Sequence, residues 1–188
     1  MKPVFLHLMR HGAPEGAGKL LGHSDAAPTE QGISACRERA ENLAVTRIIS
    51  SDLSRAQKAA ISIAGDRGMT AESDARWREL DFGEWDGCHA SALPANALAA
   101  FWDDPENCPP PHGERWSDLL RRIDSGLAEI GDDTLVITHA GPMRAALCVL
   151  LGLDYRQSWA FDLPYASLLS LQIWPDEPRS AQIIGLAA

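Results

Sequence analysis

Two short apolar runs constrain this chain more than anything else in it. Val4-Phe5-Leu6-His7-Leu8-Met9 and Thr134-Leu135-Val136-Ile137-Thr138 are short, almost unbroken in apolar character and without the alternation of a half-exposed strand. Runs of this kind are strands covered on both faces, which occur almost only in largely parallel sheets flanked by helices. Both stop abruptly on the same chemistry. Arg10-His11-Gly12 follows the first, and His139-Ala140-Gly141 follows the second. His7, four strand positions before His11, would stand roughly 13 Å from it at about 3.3 Å per residue. That is too far to share a metal, and His7 reads as a hydrogen-bonded residue near the core.

The segments between these runs carry helical periodicity. Thr29-Glu30-Gln31-Gly32 opens a helix with Ile33, Cys36, Ala40 and Leu43 on one face. Arg47 to Ser51 reads as a second strand, with Ser51 or Asp52 as N-cap of the next helix. Met69 to Ser73 reads as a third strand. The clearest amphipathic helix has Trp116, Leu119, Leu120, Ile123, Leu127 and Ile130 at helical spacing. Pro142 suits the first position of a helix that runs to Leu151, apolar all round apart from Arg144, and ends at Gly152. Segments Phe161 to Trp174 and Gln182 to Leu186 supply the last strands, with Pro164, Pro175 and Pro178 marking breaks. The expected fold is α/β: a doubly wound, mostly parallel sheet flanked by helices. A single domain over residues 1–188 is expected, with a lid insertion at about 84–113 that has no lysine or arginine and ends in Pro109-Pro110-Pro111.

Composition removes several function classes. A formal net charge of −9 repels nucleic acid and anionic membrane. No apolar stretch approaches the roughly 20 residues of a membrane span or the core of a signal peptide. The expectation is therefore a cytoplasmic protein with neither nucleic-acid nor membrane partners; nothing in the sequence fixes its oligomeric state. Four cysteines without C-x-x-C spacing are too sparse for a disulfide scaffold. Cys36 and Cys148 fall in helical patterns as small hydrophobes, while Cys88, His89, Cys108 and His112 match no structural zinc spacing, so no metal or other cofactor is expected. Gly22-His23-Ser24-Asp25-Ala26 superficially resembles a nucleophile elbow, but the strand before and the helix after such a serine are missing.

In doubly wound sheets, ligands sit outside the carboxyl ends of the strands. His11, Arg55 and His139 all fall at those ends or in the following turn. Alone, Arg55 near the start of a helix could simply pair with Asp52. Together with Arg10 and two histidines backed by glycines, it describes an anion pocket. Phosphate suits the set best, because arginine forks match its oxygens and a neutral imidazole can attack phosphorus. The leaving alkoxide then needs a proton, which Glu79 or Asp81 could supply.

The residues resemble the histidine phosphatase superfamily, which includes cofactor-dependent phosphoglycerate mutases and α-ribazole phosphatases. Leu8-Met9-Arg10-His11-Gly12 is similar to its signature and Ser51-Asp52-Leu53-Ser54-Arg55-Ala56 to its second arginine motif. Arg78-Glu79-Leu80-Asp81-Phe82-Gly83-Glu84-Trp85-Asp86-Gly87 is similar to its acid motif, and Thr138-His139-Ala140-Gly141-Pro142-Met143-Arg144 to its second-histidine motif. The resemblance implies that His11 is the phosphorylated nucleophile, that Arg10, Arg55 and His139 bind the phosphoryl group, and that Glu79 rather than Asp81 is the proton donor. Two departures are Ala59, where threonine is frequent, and Ala140, where glycine commonly follows the second histidine. The loop after Gly12 lacks the asparagine typical of the mutases. Its Pro14, Leu21-Gly22-His23-Ser24-Asp25 and Pro28-Thr29 look more like the α-ribazole phosphatase branch.

The absence of lysine and arginine from Glu79 to Glu114 argues against a substrate with a second anionic group. Trp77, Trp85, Trp102 and Trp116 could instead stack on a flat leaving group, or simply pack. The leading expectation is a small-molecule phosphomonoesterase, with α-ribazole 5′-phosphate in cobalamin biosynthesis as the candidate substrate. The alternatives are a broad-specificity histidine phosphatase, a phosphoglycerate-mutase-like phosphotransferase, and a non-catalytic phosphate-binding domain.

Overall fold

A computed structural model describes residues 2–174 and 179–188; Pro175 and Pro178 lie outside the described residues. Six strands form one sheet: β1 (Val4–Arg10), β2 (Arg47–Ser50), β3 (Ala71–Ser73), β4 (Thr134–Thr138), β5 (Leu168–Trp174) and β6 (Ser180–Ala187), in the spatial order β3-β2-β4-β1-β5-β6. β1, β4, β2 and β3 run parallel, while β5 is antiparallel to β1 and β6. Arg10 pairs with Thr138 and Ser50 with Ile137, so the carboxyl ends of the three central parallel strands are nearly level.

Alternate residues of each central strand enter opposite cores. Leu6, Leu8, Ile49 and Val136 face α4 (Trp116–Leu127) and α5 (Ala140–Leu151), whose Leu119, Ile123 and Leu147 have no exposed surface. Met9, Ile48, Leu135 and Ile137 face α1 (Glu30–Ala40) and α2 (Ser54–Asp66), which present small residues such as Cys36, Ala56 and Ala60. Each fully buried aliphatic side chain contributes about 1.5–3 kcal/mol. Burial raises the Cys36 and Cys148 thiols to about 11, as suits small core hydrophobes. His7 is buried and bonds through Nδ1 to Ser170 Oγ at 2.8 Å.

Three sequence expectations change at helix starts. Neither Ser51 nor Asp52 caps α2: Leu53 holds the N-cap position and makes no side-chain cap bond. The capping oxygens come from Asp25, 29 residues upstream, which accepts from Ser54 N–H and Ser54 Oγ at 2.6 Å each. Asp52 does not pair with Arg55. It takes a bidentate ion pair from Arg78 at 2.7 and 2.5 Å, which holds its carboxyl below the usual range. Pro142 is the third residue of α5 rather than its first, a place where its missing N–H still costs no helical bond.

Residues 84–113, where a lid is expected, form short 3₁₀ turns and α3 (Ala95–Asp103). The two ends of the segment meet: Glu84 N–H donates to Pro111 O at 3.0 Å and Glu114 N–H to Asp81 O at 2.9 Å. Gly83 makes this possible at φ +51, since a Cβ there would lie 2.2 Å from Pro111 O. Trp85 and Phe101 anchor the segment in the core. No helix among the described residues is long and apolar enough to cross a membrane.

Candidate active site

Main-chain pairing brings the two histidines together. His11 N–H donates to Thr138 O at 2.9 Å, directly before His139, and the two rings meet edge to face with centroids 4.9 Å apart. Gly12 allows the first turn to pass against α1, because a Cβ would sit 2.0 Å from Gly32 O. Both imidazoles are buried, His11 at 5% exposure and His139 at 0%. Burial first, then the Arg55 charge, drives the His11 pKa down to about 3, against a smaller upward pull from the Gly12 carbonyl. His139 is also driven well below its usual value, by burial and then by His11 and Arg55. Both rings are therefore neutral near pH 7, and a charge difference between them is not what separates their roles.

Their hydrogen bonds separate them instead. His11 Nδ1 lies 2.7 Å from Gly12 O, a carbonyl that can only accept, so Nδ1 carries the proton and Nε2 has a free lone pair. His139 Nδ1 lies 3.3 Å from Arg55 Nε, which can only donate, so Nδ1 accepts and the proton sits on Nε2. That Nε2 is buried and has no partner. One ring thus offers a lone pair and the other a hydrogen-bond donor.

Arg55 is fully buried and mostly committed. Besides His139, it donates to Ser24 O at 2.8 Å, Leu21 O at 2.9 Å and Gly22 O at 2.6 Å, clamping the loop that follows β1. One of its five N–H groups remains for a ligand. Arg10 donates to Leu163 O at 2.7 Å and lies over the Tyr165 ring at 4.2 Å, while its Nε is buried without a partner. Glu79 Oε1 accepts from Leu80 N–H at 2.9 Å and Gly141 N–H at 3.0 Å. A Cβ at Gly141 would lie 2.1 Å from that oxygen, so a side chain there would push the carboxylate aside. Asp81 faces elsewhere: its carboxylate takes Gly83 N–H at 2.9 Å and sits 3.6 Å from His23 Nδ1.

A cavity of about 110 Å³ gathers Arg10, His11, Glu79, Lys19, Phe82 and Tyr165. Drug-sized ligands fill roughly 300–1,000 Å³, so this space suits a phosphoryl-sized group with the remainder of a ligand outside it. A larger groove of about 570 Å³ between α1 and α2 is lined by charges that satisfy one another, as in the Arg37–Asp66 pair, and volume alone does not locate the site. Among the described residues, no three His, Cys, Asp or Glu side chains gather as a metal site would need.

Residues 6–184 match the sequence profile of the histidine phosphatase superfamily, branch 1. The chain belongs to that superfamily. It is 32% identical over 161 residues to proteins named "Probable phosphoglycerate mutase GpmB" from Yersinia pestis and Yersinia pseudotuberculosis, covering 79% of this chain and 75% of theirs. The α-ribazole phosphatase of Shigella flexneri superposes with a TM-score of 0.86 at 22% identity, covering 98% of this chain and 96% of that one. A mycobacterial glucosyl-3-phosphoglycerate phosphatase solved with inorganic phosphate gives a TM-score of 0.85 at 25% identity over 97% and 96% of the chains.

Four residues around this histidine phosphatase site were not singled out from sequence. Tyr165, its ring 5.5 Å from His11, comes from the irregular stretch before β5. Lys19 enters from the loop after β1, so the cavity holds a cation that the segment from Glu79 to Glu114 lacks. Arg122 on α4 donates to the carbonyls of Arg76, Arg78 and Glu79 and pairs with Glu114. His23 Nε2 also reaches Glu79 O at 3.1 Å. Arg122 had a visible signal, as a cation one position from the apolar stripe of α4, and His23 stands in the loop motif Leu21-Gly22-His23-Ser24-Asp25. The tryptophans divide: Trp77, Trp85 and Trp116 are buried in the core, and Trp102 is 40% exposed. Stacking on a ligand by Trp77 is excluded, since it has no accessible surface.

Proposed function

We propose that the protein is a metal-independent phosphomonoesterase working through a phosphohistidine on His11. The observation that carries this reading is the pair of ring-nitrogen contacts at the carboxyl ends of β1 and β4, which give the two imidazoles opposite tautomers. His11 Nε2 attacks phosphorus in line, and the P–O bond to the leaving alcohol breaks as the N–P bond forms. Arg10, the remaining Arg55 N–H and the His139 Nε2–H hold the equatorial oxygens, where negative charge collects. Glu79 delivers a proton to the leaving oxygen. It then takes one from the water that cleaves the N–P bond, releasing phosphate and restoring both groups.

For the substrate, we infer a small phosphate monoester, with α-ribazole 5′-phosphate as the first candidate. The fold likeness to the Shigella enzyme and the resemblance of the loop after Gly12 support it. A phosphoglycerate-mutase-like or broad-specificity activity is the second reading, favoured by Lys19 in the cavity and by the GpmB relatives. A purely phosphate-binding role would leave the placement of Glu79 beside that cavity without a use.

A steady-state panel of phosphate monoesters ranked by kcat/KM tests the reading, with α-ribazole 5′-phosphate, 3-phosphoglycerate and a generic aryl phosphate included. His11→Ala is expected to abolish turnover, and chelator to leave the wild type unaffected. A flat ranking identifies a generalist, while turnover retained in the variant removes His11 from its role.

A further inference from the structure

Beside the reacting cavity lies a second one of about 80 Å³ with an almost purely apolar, aromatic wall. Trp102 and Trp159 form its rim, 40% and 48% exposed, with ring centroids 5.6 Å apart and planes at 89°. Phe101, Trp116 and Tyr155 line the interior. Two sets of contacts link the walls of the two cavities. Leu80 and Gly141, whose N–H groups bind the Glu79 carboxylate, line the second cavity, while Glu79 itself lines the first. Phe82 of the first cavity also meets Phe101 of the second edge to face at 6.0 Å.

Arg144 sets the charge of this space. Its guanidinium lies 3.9 Å from the Trp159 ring centroid and donates to Ser158 O and Phe161 O, and its Nε is buried without a partner. Aromatic boxes of this type suit quaternary ammonium groups when no cation is present. With Arg144 in the lining, a cationic occupant is repelled; the apolar walls fit an uncharged group, whose π face or acceptor atom can meet the unpartnered Nε–H. Size narrows the class further: an enclosed apolar cavity of about 150 Å³ accepts a benzene ring, so 80 Å³ takes a ring edge or a compact branched alkyl group.

We propose that the aromatic cavity beyond Glu79 receives an uncharged aromatic or compact alkyl portion of the leaving alcohol, making Trp102 and Trp159 specificity residues. This rests on the phosphomonoesterase reading. The group on the leaving oxygen emerges beside Glu79, and Leu80 and Gly141, which hold the Glu79 carboxylate, line the aromatic cavity next to that point. The cavity gives the substrate binding that a phosphoryl-sized pocket cannot supply.

The test compares 2-phenylethyl phosphate with ethyl phosphate, whose leaving alcohols are of similar acidity. The wild type is expected to favour the phenylethyl ester by about tenfold or more in kcat/KM, in line with small apolar pockets. Trp102→Ala and Trp159→Ala should each reduce that ratio toward one, mainly through KM. In the unmodified protein, 2-phenylethanol should quench tryptophan fluorescence with saturation, a readout independent of whether either variant folds. If neither ester is hydrolysed, the phosphatase reading fails and the inference with it. If both are hydrolysed at equal kcat/KM, if the variants leave the ratio unchanged, or if 2-phenylethanol leaves the tryptophan fluorescence unchanged, the inference alone fails.

Discussion

Two histidines with the same burial and the same neutral charge acquire different chemistry from one hydrogen bond each. Gly12 O fixes the proton of His11 on Nδ1, and Arg55 Nε fixes that of His139 on Nε2. Keeping both neutral has a thermodynamic consequence. An exposed histidine protonates near 6.5, whereas native His11 does so only near 3 and His139 is likewise lowered. Below pH 6.5 the unfolded chain therefore binds more protons than the folded one, and stability falls as pH drops. Above pH 6.5 both states hold neutral rings and neither residue contributes a pH dependence. The expected slope from His11 is about 1.4 kcal/mol per pH unit well inside the window between pH 6.5 and about 3. Urea unfolding at pH 6, 5 and 4 should show a slope flatter by about that amount in His11→Asn; equal slopes would contradict the buried neutral state. Glu79 offers a second test at this scale. Glu79→Gln should lower kcat by about 10²–10⁴ on alkyl esters and far less on a nitrophenyl ester, whose leaving group needs no proton. Gly141→Ala should mimic that pattern, because its Cβ would displace the carboxylate.

Elements reach the site through contacts distant in sequence, and here the sequence was least legible. Each apolar run disclosed its own strand, and the spacing on α4 disclosed its buried face. The start of α2 was misassigned because its capping oxygens belong to Asp25 in another loop, a contact no local pattern carries. Asp25→Ala should cost about 1 kcal/mol, measured as a drop in unfolding free energy, as the loss of an N-cap does. Arg122 joins α4 to the carbonyls of Arg76, Arg78 and Glu79 while Glu114 neutralises it. Arg122→Ala should therefore cost on the order of 2–3 kcal/mol and reduce kcat more than it raises KM, since it acts through the position of Glu79. Loss of stability with unchanged kcat would make Arg122 purely structural.

Over the whole molecule, two unbroken apolar runs were enough to indicate a covered parallel sheet, and the sheet rule then placed His11, Arg55 and His139 at one edge. Four motif segments supplied the family, which the profile match over residues 6–184 shows. The antiparallel pairing of β5 and β6, the tautomers and the approach of Tyr165 were not legible, because each depends on which distant backbone lies alongside. Of the four tryptophans that the sequence offers for stacking, Trp77, Trp85 and Trp116 are core, and Trp102 stands at the rim of the cavity beyond Glu79. The central claim is that His11 Nε2 becomes covalently phosphorylated, and rapid quenching during turnover of a ³²P-labelled monoester addresses it directly. The account expects label on His11 that is labile in acid and stable in alkali, and absent in His11→Ala; alkali-labile label on a carboxylate, or turnover without any trapped phosphoenzyme under single-turnover conditions, would contradict it.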